Sequence, residues 1–407
     1  MAALKLFIIL AILMLILWRG KPLYLAAITG TILIGLFFWL PLADWLKLVL
    51  AGAVANDTIN ILATFFAIML LEKYLDNHGF LQKMLTGLQE GFRSRKIVLG
   101  TLPALIGFIP SAGGALFSAP MVEQATKGLN MKPEEKTLIN FYFRHVFEMY
   151  LPIYPALIVV TQLTGLPFKQ IFWAVLPMGI VNVLLGLPYL KAVPKAKTTP
   201  ELTFAKRKNA LKNLLLGTGP IITVLLLILI FNMPIWLSVS IVLIPMLIYT
   251  KDYRPQILMP LIKGAVQWKT LLMVFTLMIF KEMLMNSGAM ASLPKLLGHS
   301  PIPFFLAMAV FAYFVNMLTG MNLATMAICL PVAIVAGSGS ISLAMTTLII
   351  VTSFAGGILT PMHLCLPITA QYFKADMSTL IRKLVPPSIA LAISAVCYYI
   401  LLAHFGL

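Results

Sequence analysis

Four polar residues in one apolar segment offer the most distinctive chemistry in this chain. Asn140, Arg144, His145 and Glu148 fall inside the stretch 134–165, where most neighbours are apolar. An ionisable group inside a membrane segment is costly to desolvate, so it is kept where it binds, couples or pairs. Arg144 and Glu148 are spaced i, i+4, which would put them on one helix face, within reach of each other. Two readings stay open. Either Arg144 orients an anionic substrate and Glu148 takes part in ion coupling, or the pair neutralises itself and ties its helix to the neighbours. His145 and Glu148 could supply half of a metal site, but no second His or Cys cluster stands out in the sequence to complete it.

A second kind of chemistry lies in breaks of apolar helices. Stretch 96–127 is interrupted by Pro110-Ser111-Ala112-Gly113-Gly114, and stretch 301–336 by Leu318-Thr319-Gly320-Met321-Asn322, with Asn316 one turn earlier. A broken helix exposes carbonyls at one end and N–H groups at the next, which attract a cation and an anion respectively. Candidate substrate contacts are therefore Ser111, Ala112, Gly113, Gly114, Thr319, Gly320 and Asn322. Candidate Na+ positions are Ser111, Asn316 and Thr319. The alternative is two full helices kinked at glycine for close packing.

The stretches 134–165 and 341–373 are too long for one straight crossing, and each holds a central proline, Pro152 and Pro361. They predict breaks at Tyr150-Leu151-Pro152 and at Leu359-Thr360-Pro361-Met362-His363. Both prolines then join the candidate Na+ sites. Thr360 and His363 join the substrate contacts, and Gln162 and Gln371, further along, join the coupling candidates. A simple proline kink is the competing reading.

The elements that must position these residues are membrane helices. Hydrophobic residues make up 60% of the 407, and only 11% are charged, against roughly 25% in an ordinary soluble domain; the mean hydropathy is +0.97. Apolar runs such as Pro22 to Leu40 approach the ~20 residues that span a bilayer as a helix. The spans expected are 4–18, 22–40, 57–75, 134–165 and 168–190, then 213–231, 234–250, 268–285, 341–373 and 384–406. The arms of 96–127 and 301–336 are each too short for a ~30 Å hydrocarbon core and suit re-entrant hairpins. Segments 80–92 and 289–299 read as short surface helices leading into the hairpins. Leu6 to Trp18 lacks a small-residue cleavage site and reads as a retained first span.

Charge and symmetry organise the spans. The net charge of +17 could suggest nucleic acid, but the basic residues fall in short loops, as the positive-inside rule requires of a membrane protein. With the basic linker 194–212 placed in the cytoplasm, most of the 30 Lys and Arg residues lie inside. Lys5, Lys47, Lys169, Lys281 and Lys295 lie outside, and Arg144 lies in the membrane. Both termini are then extracytoplasmic. Landmarks repeat at an offset of 209 residues: Pro152 with Pro361, Gln162 with Gln371, and Pro177 with Pro386. The expected fold is an all-α membrane protein of about ten transmembrane helices and two re-entrant hairpins in two inverted repeats, 1–193 and 213–407. Arg144 and Glu148 correspond to Ser353 and Gly357, so their charges are not part of the symmetry. Cys329, Cys365 and Cys397 sit in apolar segments without metal-ligand spacing, which predicts neither a disulfide nor a zinc site.

At Ile109-Pro110-Ser111-Ala112-Gly113-Gly114 and at Leu359-Thr360-Pro361-Met362-His363-Leu364-Cys365-Leu366, the chain resembles an uncharacterised integral-membrane family of the ion transporter superfamily. That superfamily looks related to gluconate permeases, citrate and dicarboxylate symporters, and the large membrane subunit of TRAP transporters. The resemblance implies a homodimer in which hairpins and broken helices move as an elevator, often coupled to Na+ or H+. Where the dicarboxylate branch carries Ser-Asn-Thr at both hairpin tips, this chain has Ser111-Ala112-Gly113 and Thr319-Gly320-Met321. The function expected is secondary transport of a small, carboxylate-like organic anion across the inner cell membrane. No cofactor beyond the coupling ion is expected, and no partner beyond lipid and a second copy. The alternatives are a membrane channel, or the membrane subunit of a binding-protein-dependent carrier. No His-Glu-x-x-His motif, intramembrane aspartate pair or P-loop points to an enzyme or a primary pump.

Overall fold

The computed structural model describes residues 2–92, 94–108, 114–194, 204–288, 302–337 and 339–406, and these form helices with no strand. The first half contains α1 (Ala2–Trp18), α2 (Leu23–Phe37), α3 (Leu42–Val54), α4 (Asn56–Asn77) and α5 (Phe80–Gly91). It continues with α6 (Arg95–Gly107), α7 (Gly114–Thr126), α8 (Pro133–Arg144), α9 (Pro155–Thr164) and α10 (Phe168–Gly186). A short 3-10 turn, Leu187–Ala192, extends α10. The second half contains α11 (Phe204–Phe231), α12 (Ile235–Thr250), α13 (Pro255–Ala265) and α14 (Trp268–Asn286). After these come α15 (Phe304–Thr319), α16 (Asn322–Ala336), α17 (Leu343–Ile358), α18 (Cys365–Phe373) and α19 (Met377–His404).

Four helical stretches in the described residues are long and apolar enough to cross a membrane alone: Asn56–Asn77, Phe168–Ala192, Arg207–Phe231 and Met377–His404. Large apolar side chains point outward along the long helices, for example Leu211, Leu215, Leu226 and Ile230 on α11 and Ile389, Ile393 and Ile400 on α19. Water would disfavour such faces and lipid favours them. Local signals set the ends. Proline precedes or opens α2, α3, α8, α9, α10, α12, α13 and α15, where its missing N–H would be unbonded anyway. Asp376 caps α19 by accepting the Thr379 N–H at 2.8 Å, and bonding to Thr379 holds its carboxyl below the usual carboxylate range.

The two halves share a register. α6 and α15 begin 209 positions apart, at Arg95 and Phe304; α4 and α14 end 209 apart, at Asn77 and Asn286. α10 and α19 also begin 209 apart, at Phe168 and Met377. The packing follows the same rule. α6 lies on α8 as α15 lies on α17, and α7 meets α18 as α16 meets α9. The second arm of each helical pair therefore rests on the second piece of the broken helix from the other half.

Several expectations need correction. The span expected over 22–40 stops at Phe37, since Trp39 takes a left-handed backbone at φ 53°. Two helices went unrecognised, α3 and α13; at 13 and 11 residues both are too short to cross a bilayer. The helix expected on the surface at 80–92 is α5, but it is packed: Met84, Leu85 and Leu88 are buried, and α5 lies along α11. Segment 289–299 and residues 195–203 of the linker 194–212 lie outside the described residues, while 204–212, expected as linker, form the first turns of α11.

The break in 134–165 opens earlier than Tyr150. α8 ends at Arg144, and the chain passes into turns bonded to the third residue back: His145 N–H to Tyr142 O at 3.2 Å, Glu148 N–H to His145 O at 3.1 Å and Tyr150 N–H to Phe147 O at 3.2 Å. Residues four apart are about 40° apart around an α-helix but about 120° apart in such tighter turns. Arg144 and Glu148 therefore do not share a face, and they form no ion pair within 4.0 Å. The break in 341–373 falls where expected, between Ile358 and Cys365.

Candidate functional site

The hairpin-like turn between α15 and α16 is built by Gly320. Its backbone is left-handed at φ 65°, and its N–H bonds the Asn316 carbonyl at 2.7 Å. A Cβ there would stand 2.4 Å from the Met362 carbonyl carbon, so only glycine lets this turn rest on the 359–364 break. The turn places Asn322 at the start of α16, its side chain amid three elements.

Asn322 Nδ2 donates to Glu148 Oε1 at 2.8 Å. Its Oδ1 accepts from Ser353 Oγ at 3.0 Å and from Asn316 Nδ2. Asn316 Nδ2 also donates to the Ser353 carbonyl at 2.8 Å. The network joins the break of the first half to α15, α16 and α17. It leaves two buried acceptor atoms without a hydrogen-bond partner, Glu148 Oε2 and Asn316 Oδ1. Both can take only a proton donor or a cation.

Beside this network lies a cavity of about 360 Å³. Its walls include Glu72 on α4, Glu148, Tyr154, Pro155, Gly320 and Asn322. Two helix N-termini reach it, that of α9 through Tyr154 and Pro155 and that of α16 through Asn322 and Leu323. The Tyr154 hydroxyl donates to the Gly107 carbonyl at the end of α6, so the cavity wall is also tied to the first arm of the other helical pair.

Arg144 is buried, with 5% of its surface exposed. Its Nη1 donates to Cys365 Sγ at 3.0 Å and lies 3.4 Å from His145 Nε2. His145 and His363 approach at 3.0 Å through their Nε2 atoms. Asn140 Nδ2 donates to Thr369 Oγ1 at 3.3 Å, a further link from α8 to α18. This second cluster joins the two helix breaks behind the cavity.

The structure thus brings some sequence candidates together and separates others. Glu148, Gly320 and Asn322 line the cavity, and Asn316 supports it. Arg144, His363, Thr319, Thr360, Pro152, Pro361, Gln162 and Gln371 are not among its lining residues. Thr319 is buried at the turn, where its hydroxyl accepts the Met321 N–H at 3.3 Å, and Thr360 does the same for Met362 at 3.1 Å. Ser111, Ala112 and Gly113 lie outside the described residues; Gly114 opens α7. Three residues went unrecognised. Glu72 is an acid within an apolar span, the same signal that marked Glu148. Ser353 and Tyr154 carry no sequence signal, because their roles depend on partners far along the chain.

Helical pairs packed on broken helices around a polar network define a membrane-protein fold with a solved relative. The crystal structure of the Alcanivorax borkumensis YdaH transporter, described as having an unusual topology, is similar with a TM-score of 0.67 and 16% sequence identity, covering 94% of this chain and 98% of that one. No curated protein matches the chain. The chain itself belongs to the family described as protein of unknown function DUF401, which matches residues 2–401.

Proposed function

We propose that this chain is a secondary transporter of a small organic anion, coupled to Na+ or H+, whose substrate occupies the cavity between the helix break of the first half and the α15–α16 turn. The observation that carries this reading is the pairing of two helix N-termini with two carboxylates around one cavity. The N–H ends of α9 and α16 favour an anion. Glu72, and Glu148 with its unpartnered Oε2, favour a cation. A volume of about 360 Å³ lies at the small end of ligand pockets. The likeness to a solved transporter supports transport as the activity.

The shared register of the halves supports two inverted repeats, 1–193 and 213–407, joined by the basic linker. In that architecture the pairs α6–α7 and α15–α16 are re-entrant hairpins, and alternating access moves them with the broken helices. An elevator motion against a homodimer scaffold, in the inner membrane, completes the proposal. Glu148 and Asn322 hold the coupling ion. Gly320 and the N-termini of α9 and α16 contact the substrate.

A thermal-melt screen of the purified protein against citrate, gluconate and succinate, with and without Na+ and across pH, tests the reading. A ligand at about 100 times its Kd adds about 2.7 kcal/mol of apparent stability. One of these acids, or a close analogue, should raise the melting temperature and enter proteoliposomes down an imposed Na+ or pH gradient. Glu148→Gln keeps an acceptor for Asn322 and removes the charge, so binding should persist while the cation dependence disappears. Unchanged cation dependence in Glu148→Gln would remove Glu148 from coupling. Absence of uptake for every small organic anion would sink the carrier assignment.

A further inference from the structure

We propose that His145, His363 and Cys365 form a binding site for a soft monovalent transition-metal ion, Cu+, that clasps the two helix breaks together. Their ligating atoms all lie within 4.8 Å of one another, although His145 stands more than two hundred positions before His363 and Cys365 in the sequence. None of the three lines the cavity, so the site stands apart from the carrier reading and does not depend on it.

The protonation pattern prepares one ligand. His145 Nδ1 lies 2.6 Å from the Phe141 carbonyl. A carbonyl can only accept, so Nδ1 carries the hydrogen and the lone pair of the neutral ring is at Nε2. A backbone carbonyl fixing the far ring nitrogen is the usual support of a metal-ligating histidine. That Nε2 faces His363 Nε2 at 3.0 Å. A metal held by nitrogens at about 2.0 Å and sulfur at about 2.3 Å fits between these atoms with a small opening of the two rings.

The choice of ion follows from charge. Two neutral imidazoles and a thiolate carry one negative charge. Arg144 Nη1 donates to Cys365 Sγ at 3.0 Å, which offsets part of the cost of burying a thiolate and fixes a positive charge beside the site. A divalent ion would leave a net positive centre next to that guanidinium in a low-dielectric interior, where like charges repel strongly. A monovalent ion leaves the centre neutral. Thiolate and imidazole together suit Cu+. Binding is ligation only: the Cys365 proton leaves to solvent as the ion enters, and no electron moves.

The bound ion would link the turn after α8 to the start of α18, and so the broken helix of one half to that of the other. The test uses the full chain in detergent, reduced, stripped with chelator and kept anaerobic. Titration with Cu+ against a chromophoric Cu+ chelator should show one equivalent retained per chain. X-ray absorption should show one sulfur and two nitrogens. Cys365→Ser should lose the equivalent, as should His363→Ala, while Cys329→Ser and Cys397→Ser keep it; size-exclusion profiles show that each variant is folded. Should the ligand variants fail to fold, the coordination shell of the wild-type protein decides alone. No retained Cu+, a shell without sulfur, retention unaffected by Cys365→Ser, or a preference for Zn2+ each overturns the proposal.

Discussion

Single residues here work through contacts that sequence spacing does not show. Arg144 and Glu148 look like a pair, yet Arg144 donates to Cys365 Sγ and Glu148 accepts from Asn322. Exchanging the two charges would put a carboxylate against the Cys365 sulfur and a guanidinium against the Asn322 amide donor. The double variant Arg144→Glu/Glu148→Arg should therefore be no better than either single variant in thermal melting and uptake. Recovery to wild-type values would show that the two act as a self-neutralising pair. Asn316 offers a second test. It is fully buried, and its amide serves Asn322 and Ser353 together. Asn316→Ala strands acceptors in the interior, each costing about 1–3 kcal/mol. Ser353→Ala removes one donor from Asn322 and leaves the Ser353 backbone bond intact. Chemical denaturation should show Asn316→Ala as the more damaging of the two by at least about 1 kcal/mol; equal effects would mean the network bears little load.

Elements meet where backbone approaches backbone. A Cβ on Gly107 would stand 2.0 Å from the Arg144 carbonyl oxygen, and one on Gly356 would stand 2.0 Å from the Tyr313 carbonyl oxygen. The first contact seats α6 on α8 and the second seats α17 on α15. Backbone atoms cannot swing aside as side chains do, so alanine at either position forces the helices apart. Overpacking of this kind costs about 1–3 kcal/mol, and the rigid partner sets these sites at the upper end. Gly107→Ala and Gly356→Ala should each lower the melting temperature or abolish a monodisperse product. Gly219→Ala in α11 meets nothing within 4 Å and should be neutral, or stabilising by about 0.4–1 kcal/mol. A melt showing all three variants alike would remove the close-packing explanation. Much of this level was legible in the sequence. Thr319-Gly320-Met321 and the Pro361 region mark real helix ends because glycine and proline act locally. The early end of α8 was not legible, since no glycine or proline stands at Arg144. There the chain loosens in the company of Gly107 and Cys365, which come from elsewhere in the fold. α3 and α13 escaped notice because Asp44 and Lys47, and Lys263, interrupt apolar runs already too short for a span.

At the scale of the molecule, two opposite ends can be told apart by their ionic contacts. His78 Nε2 lies 2.9 Å from Asp252 Oδ2, which joins the end of α4 to the turn after α12. Lys281 Nζ lies 3.2 Å from Asp57 Oδ2, which joins the start of α4 to the far part of α14. α11 and α12 pack against each other and are linked by Asn232–Pro234, so the start of α11 returns to the end marked by Asp252. Lys73, Lys208, Lys212, Lys251 and Arg254 therefore gather at one end, while Lys47 and Lys281 belong to the other. Under the positive-inside rule, the orientation proposed for this chain puts the end richer in basic residues in the cytoplasm. Lys208 and Lys47 are both exposed and serve as reporters. Lys208→Cys should react with a membrane-impermeant maleimide only after the cells are opened, and Lys47→Cys should react in intact cells. The parent protein, whose three cysteines lie in apolar segments, sets the background. Labelling of Lys208→Cys in intact cells would reverse the orientation, and labelling of both from one side would break the opposition of the two ends.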